Sequence, residues 1–312
     1  MKDKLSIYTP TSDPSVSFGR VTHSLAACFR RLGYSVTIGE DRKAEYFAAI
    51  DGPSSVVKTK HLITFWETTE LHPPDIACLK MQARSRKIHV TCKQAADVIG
   101  QYGIKTSKIP LASEYTPCVL APMKPFTFYT IYQDAGYWER KRAQDVVDAF
   151  ELAFPKVFDV RLIAKQNPNC KELITFDKRI EVIRQSLQSV KHIHETGHVF
   201  VSACGAEGWG YPHHDAIAHG RPVICQRIGG PLEFLDATCA WFVKPYMHKA
   251  PKGIYSGMGK IGRVNVNELA AKMRYVYDNR AEVMEKSTAA FIRARNFTLD
   301  QMTVSVKKDF GL

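Results

Sequence analysis

Two constellations of residues that could do chemistry lie between positions 194 and 215. His194-Glu195-Thr196-Gly197-His198 spells H-E-x-x-H. On a continuous helix that spacing puts two imidazoles one turn apart to hold zinc, with the glutamate as general base. Shortly after it, Glu207 and Asp215 stand eight positions apart around Gly205, Gly208 and Gly210. Glycines there let the backbone turn tightly and approach a ligand closely.

The zinc reading needs an unbroken helix, and Gly197 interrupts it. Glycine costs about 1 kcal/mol inside a helix but is favoured just past its end. The following "HVFVSA" is alternating and β-branched. The helix is therefore expected to stop at Gly197, and the imidazoles of His194 and His198 to diverge. No third ligand follows at a standard spacing, although His213 and His214 are available. His192, His194 and His198 then read as surface or helix-end histidines, no metal is expected, and an H-E-x-x-H zinc peptidase is the remote alternative.

"VFVSACGAEGWGYPHHDAIAHGRPVICQRIGG" reads instead as strand, loop, helix, strand, loop. Pro212 suits a first helical turn. The N-terminus of that helix presents unpaired N–H groups and a positive dipole end, a setting for an anion. In open α/β sheets ligands sit beyond the carboxyl ends of the strands, where this loop would lie.

The elements that must position these residues alternate along the whole chain. "LSIYT" reads as a strand, "GRVTHSLAACFRRLG" as an amphipathic helix ending at Gly33, and "YSVTIG" as the next strand. That order is a βαβ unit and argues for a parallel sheet. "HLITFWE", "KIHVTC" and "KIPLA" continue as strands, with "PPDIACLKMQARS" and "KQAADVIGQYG" as helices. "SEYTPCVLAPMKP", with three prolines in 13 residues, suits a linker. A second series follows, and "NVNELAAKMRYVYDNRAEVMEKSTAAFIRAR" closes it as one or two helices. The expected fold class is α/β, with two Rossmann-like doubly wound domains facing across a cleft. The expected boundaries are 1–120 for the N-terminal domain and 121–296 for the C-terminal domain, with 297–312 crossing back to the N-domain.

At 312 residues and 45% hydrophobic content, two domains of ordinary size can be buried. No apolar run approaches the roughly 20 residues that span a bilayer, and the N-terminus carries no secretory-signal stretch. Eight scattered cysteines without a C-x-x-C pair read as buried free thiols in a reducing compartment. A cytoplasmic location follows as the expectation, peripheral attachment to a membrane included. The formal charge is +12, with 16 Lys and Arg against 11 Asp and Glu in residues 1–120 and 27 against 20 in the rest. A basic excess spread over both halves suits a polyanion: a nucleotide diphosphate, nucleic acid or an anionic lipid surface. Neither interleaved aromatic and basic residues nor a basic amphipathic helix stands out to choose among them.

The stretch "EGWGYPHHDAIAHGRPVICQRIGGPLE" resembles the E-x7-E region of retaining GT-B glycosyltransferases, with their "EGFG…P…EA.A.G.PV…..GG..E" pattern. The match covers about 27 residues and several glycines, with aspartate in place of the second glutamate. "GRVTHSLAACFRRLGYSVTI", "FWETTELHPP" and "IPLASEY" resemble the family's N-domain segments, and "WERKRAQDVVDAF" its "…KG…L..AF" element. Nearly the whole chain is covered, though it is short for the family. The resemblance implies sugar transfer with retention from a nucleotide-diphosphate sugar (UDP-, GDP- or ADP-linked), with no metal or other cofactor.

It also implies roles. Lys141 falls at the family's diphosphate lysine, with Arg140 beside it; "DAGYW" stands where a second cation is usual. Glu207 would contact the donor sugar and Asp215 the ribose hydroxyls. Gly208 and Gly210 would line the donor, Gly229 and Gly230 would bring amides to it, and Glu233 would begin the next helix. Gly19 would face the diphosphate from the other domain. Glu67 and His23 are the candidates for the acceptor side. The acceptor is open: a glycan, hydroxylated bases in DNA, or an anionic lipid. The alternative to an enzyme is a fold of this kind that holds nucleotide or nucleic acid without turnover.

Overall fold

A computed structural model describes residues 2–113, 118–133, 138–187 and 189–312. In the N-terminal half the elements run β1 (Lys2–Tyr8), α1 (Ser17–Arg31), β2 (Tyr34–Gly39), β3 (Glu45–Ile50), β4 (Lys58–Thr64), α2 (Pro73–Gln82), β5 (Lys87–Val90), α3 (Lys93–Gly100) and β6 (Thr106–Lys108). The strands form one parallel sheet in the order β2-β1-β3-β4-β5-β6. Amphipathic α1 packs Val21, Leu25, Cys28 and Phe29 inward.

The second half begins with β7 (Phe126–Tyr132), the short α4 (Trp138–Lys141), α5 (Ala143–Ala153), β8 (Val160–Gln166), β9 (Ile180–Arg184), α6 (Lys191–Thr196) and β10 (Val199–Val201). It continues through α7 (Tyr211–Ala218), β11 (Val223–Gln226), β12 (Ala240–Val243), β13 (Tyr246–Lys249), α8 (Lys252–Tyr255) and β14 (Lys260–Arg263). Three helices close the chain: α9 (Val266–Asp278), α10 (Arg280–Ala294) and α11 (Leu299–Phe310). Its six-stranded sheet, also parallel, has the order β12-β11-β10-β7-β8-β9. Read from the other edge this is 3-2-1-4-5-6 in the half's own strand order, the Rossmann arrangement, whose topological switch point lies between β7 and β10. β7 is buried along nearly its whole length, as a central parallel strand covered on both faces must be.

One apolar cluster runs through both halves and joins Phe29 and Ile63 to Tyr129, Trp209 and Tyr211. The closing helix α11 packs on α1 of the N-terminal half. Its Phe310 ring stacks on His61 and His89, with centroids 4.2 and 4.6 Å away. The "N-E-L-A-A-K" segment becomes two helices, divided at Asn279, which is non-helical at φ −115° and ψ 54°. The strand expected over "KIPLA" lies slightly earlier, at Thr106–Lys108, and β3, β12, α8 and the β13–β14 ribbon add to the elements read from the sequence. Part of the linker, residues 114–117, and residues 134–137 of "DAGYW" lie outside the described residues. All eight cysteines are free, with six of them buried.

Candidate active site

The H-E-x-x-H stretch is two separate packing sites. Helix α6 ends at Thr196, and Gly197 is extended at ψ 149°. A side chain on Gly197 would strike the Tyr129 ring, 2.1 Å from the position of its Cβ. His194 meets the Tyr129 hydroxyl at 2.9 Å through Nδ1. His198 accepts the Thr127 amide at 2.8 Å through Nδ1 and meets the Ala121 carbonyl at 3.1 Å through Nε2. His194 stands in the last turn of α6, a helix-end histidine as expected, but both rings are buried, which corrects the surface alternative for them. Burial holds the His194 imidazole down at about 3. The two rings diverge, each tied to partners of its own, and do not make a zinc site.

The C-domain switch point gathers charge. Lys141 ends α4, which follows β7, and Glu207 sits in the loop after β10. The Lys141 ammonium donates to Glu207 Oε1 at 2.5 Å, and Arg140 Nη1 stands 3.8 Å from Glu207 Oε2. All three side chains are only 11–12% exposed. Burial pushes the Glu207 carboxyl up, but Lys141, then Arg140 and His213, outweigh it and hold it below the usual carboxylate range. Behind the pair a small cavity is lined by Thr130, Ser202, Cys204 and His213. Arg142, next in sequence, adopts the left-handed conformation at φ 48° and ψ 40°, which favours glycine. Its guanidinium is tied to Asp145 by two bonds of 2.5 and 2.7 Å.

The N-terminal half closes over this loop. Glu67 accepts from Arg140 at 2.7 Å, from the Gly208 amide at 3.1 Å, and from the Tyr255 hydroxyl. Thr91 donates to the Gly208 carbonyl at 2.8 Å, and Gln94 accepts the Gly229 amide at 3.0 Å. The Gly230 amide donates to the Glu207 carbonyl at 2.7 Å. Arg20 on α1 forks onto Asp215 with bonds of 2.6 and 2.7 Å and lies over the Tyr211 ring, 3.9 Å from its centroid. Ser113 donates to the same carboxylate. Burial pushes the Asp215 carboxyl up, yet Arg20 and Ser113 bring it well below its ordinary value.

These contacts change several expected placements. The amides of Gly208, Gly229 and Gly230 are not bare: each already donates within the protein. Gly229, at φ 74°, and Gly230 are needed for packing, because a Cβ on them would lie 2.7 Å from the Glu207 carbonyl oxygen and 2.5 Å from the Gly208 carbonyl oxygen. Gly210, at φ 90°, caps α7. Both oxygens of Asp215 are taken by Arg20, so it is not open to a ligand in this closed arrangement. Glu67, with three donors on it, ties the halves together and is not set as a free base. Arg140 likewise faces Glu67 and the Ala206 carbonyl at 3.3 Å rather than open solvent.

His23 is exposed on α1 and meets the Ser12 carbonyl at 2.9 Å. A Cβ on Gly19 would lie 1.9 Å from the Asp13 carbonyl oxygen, so this glycine lets the first loop fold under α1. Glu233 ends a short 3-10 turn, Gly230–Glu233, instead of opening a helix. It accepts the Lys93 amide at the start of α3 and the Lys108 ammonium, each at 2.5 Å. Arg20, Thr91, Gln94 and Tyr255 are the site residues that sequence reasoning missed. Arg20, Thr91 and Gln94 reach Asp215 or the glycine turn, and Tyr255 reaches Glu67, from distant parts of the chain; only Arg20 lies in a stretch that carries the resemblance, and nothing there marks it as the partner of Asp215.

Two Rossmann-like domains with parallel six-stranded sheets facing across a cleft define the GT-B class, and the chain has that fold. No protein-family profile matches it, and no curated protein matches it in sequence. Among solved structures it is similar to sucrose-phosphate synthase from Thermosynechococcus elongatus, with TM-score 0.76 and 10% identity over 99% of this chain and 98% of that one. It is similar to Anabaena HepE in complex with UDP and glucose, with TM-score 0.69 and 10% identity over 100% and 99% of the two chains. It also matches TarM, with TM-score 0.65 and 14% identity; there 85% of this chain spans 55% of the TarM chain. At these identities the likeness concerns the fold.

Proposed function

We propose that the protein is a glycosyltransferase that moves a sugar, with retention, from a nucleotide-diphosphate sugar to an acceptor hydroxyl. The observation that carries this is the Lys141–Glu207 pair at the switch point of a GT-B C-domain, with the N-terminal half folded over it. Similarity to glycosyltransferases, one of them in complex with UDP and glucose, supports it.

Sugar transfer breaks the bond from the anomeric carbon to the diphosphate and forms one to the acceptor oxygen. Negative charge grows on the departing phosphate, and a fixed cation in a water-poor site is worth most there. Lys141 is that cation: the diphosphate takes the place that Glu207 Oε1 now holds. Released from Lys141, Glu207 turns to the donor sugar, still ionised because Arg140 stays beside it. The acceptor proton passes to the departing phosphate oxygen, which needs no free side-chain base and fits a Glu67 already committed to Arg140 and Tyr255. Side-chain cations take the place of a metal in this scheme. The donor enters when the halves part, and closure then shields the reaction.

The test is a thermal-shift and hydrolysis screen of UDP-, GDP- and ADP-sugars with and without chelator, on the natural chain and on Lys141→Ala and Glu207→Ala. A donor should raise the melting temperature of the natural chain, and Lys141→Ala should abolish the response. Variants that keep the full shift and the same nucleoside-diphosphate release refute the assignment.

A further inference from the structure

The 20 residues from Lys244 to Arg263 hold five lysines and arginines, one histidine and no carboxylate. They fold as β13, α8 and β14, an antiparallel ribbon that joins neither six-stranded sheet. Lys244, Lys249, Lys252, Lys260 and Arg263 are all exposed, and among the described residues none has a carboxylate partner within salt-bridge distance. Lys244 lies over the Tyr246 ring, 5.4 Å from its centroid, and the Tyr246 hydroxyl donates to Glu268, outside the ribbon. In the ribbon's register Lys249 stands directly opposite Lys260. Like charges directly opposite in an antiparallel pair repel and cost stability. Among the described residues neither ammonium has a hydrogen-bonding or ionic partner, and an anion between them would turn the cost into a gain.

The ribbon is also fixed to the site. The Gly262 amide donates to the Gly205 carbonyl at 2.8 Å, two residues before Glu207. A Cβ on Gly205 would lie 1.9 Å from the Gly262 carbonyl oxygen, so the two backbones are in direct contact. The Lys260 amide donates to the Thr69 hydroxyl at 2.9 Å, and Tyr255 donates to Glu67. A polymer held on the ribbon would therefore run past the rim of the cleft.

We propose that this ribbon docks duplex DNA by its phosphates, as the polymer that carries the acceptor hydroxyl. The word acceptor rests on the transferase reading above; the docking does not. A two-stranded ribbon is one of the elements that a B-form major groove admits. A single strand would call for a row of exposed stacking aromatics, and the ribbon exposes only Tyr246 and the His248 ring, Tyr255 being buried. A lipid surface would call for a continuous apolar face, whereas each face of the ribbon mixes one exposed apolar side chain with cations, Met247 beside Lys249 and Lys260 on one and Tyr246 beside Arg263 on the other.

The experiment is fluorescence anisotropy with a labelled duplex of about twenty base pairs, between about 50 and 200 mM salt. The natural chain is compared with Lys244→Ala/Lys249→Ala/Lys260→Ala/Arg263→Ala and with Lys307→Ala/Lys308→Ala as a control on an exposed stretch of α11. Each phosphate contact contributes about 0.9 to the slope of log K against log salt. The fourfold variant should bind at least tenfold more weakly and lose about 2 or more of that slope, while the control keeps both. Competition by single-stranded DNA and by phosphatidylglycerol vesicles should be weaker than by unlabelled duplex. An unchanged slope in the fourfold variant, or vesicles or single strands competing as well as duplex, overturns the proposal. Donor-induced thermal shift, read on the same samples, keeps the two readings apart. Loss of that shift with ribbon-dependent DNA binding sinks the transferase reading alone, and an intact shift with ribbon-independent binding sinks the docking alone.

Discussion

Removing the Arg20 guanidinium should tighten donor binding while it weakens the protein. Arg20 spans the halves with two charge-assisted bonds to Asp215, of 2.6 and 2.7 Å, and lies over Tyr211. Arg20 is 29% exposed and Asp215 15%, so solvent screens the pair only in part. Hydrogen bonds to charged groups contribute about 1.5–3 kcal/mol, and the exposure of Arg20 argues for the lower end. Arg20→Met keeps the stem and deletes the fork. If the donor enters only when the halves part, its apparent affinity is the intrinsic affinity scaled by the fraction open. A loss of about 1.4 kcal/mol from the closed form raises the open-to-closed ratio about tenfold. Titration calorimetry with UDP or the donor found in the screen should therefore show up to about tenfold tighter binding to Arg20→Met. Asp215→Asn removes the same tie from the other side and should act in the same direction. Unchanged or weaker binding in Arg20→Met refutes the closed-gate argument. A tenfold loss confined to Asp215→Asn would instead mean that this carboxylate grips the donor itself.

Lys141 and Glu207 should behave as a unit. Removing one member of a buried ion pair typically costs 3–5 kcal/mol, and Arg140 nearby should bring this to about 3. Lys141→Met with Glu207→Gln should then cost at least about 1.5 kcal/mol less than the sum of the single changes, by denaturant unfolding; additivity within about 0.5 kcal/mol would remove the coupling. Gly230→Ala should destabilise by about 1–3 kcal/mol and blunt the donor response, because its Cβ would lie 2.5 Å from backbone atoms of Gly208 and Trp209. A full-strength melt with an intact response would contradict that geometry.

Acid should loosen α11 before it titrates the carboxylates. Burial, then neighbouring Lys87 and Lys60, lowers the His61 imidazole to about 4; burial, then His61 and Lys87, lowers His89 to about 3. Phe310, stacked on both rings, brings no charge of its own. A histidine kept neutral by folding gives its full contribution above the ordinary value near 6.5 and loses it as pH falls through the folded value. His61 alone accounts for about 3 kcal/mol across that window. Stability should drop from about pH 6.5 to 4, and His61→Phe/His89→Phe should flatten the slope; an unchanged slope would refute it.

Local pattern carried the fold, and distance in the chain hid the closure. The strand-helix alternation, the break at Gly197 and the glycine turn around Glu207 depend on neighbours in sequence, so they could be read there. Arg20 meets Asp215 across 195 positions and Thr91 meets Gly208 across 117. Nothing local marks such partners, so the glycine amides read as bare when they are filled. The burial of His194 and His198 was hidden for the same reason. The β13–β14 ribbon escaped because β13 is exposed throughout and β14 buries only Ile261 and Gly262, so neither carries an apolar alternation. Its basic residues, eleven positions apart in the chain at Lys249 and Lys260, become neighbours only once the two strands pair.

The backbone passes between the two halves twice, once through the proline-bearing segment before β7 and once through residues 295–298 into α11. A body hung on one strap can swivel about any direction, whereas one hung on two turns mainly about the line that joins them. Any parting of the halves would thereby be narrowed to a door-like swing that brings Glu67 back to Arg140 and the Gly208 amide. Cutting the first strap alone would leave both leaves on the remaining pin, with Phe310 still seated against its two histidines.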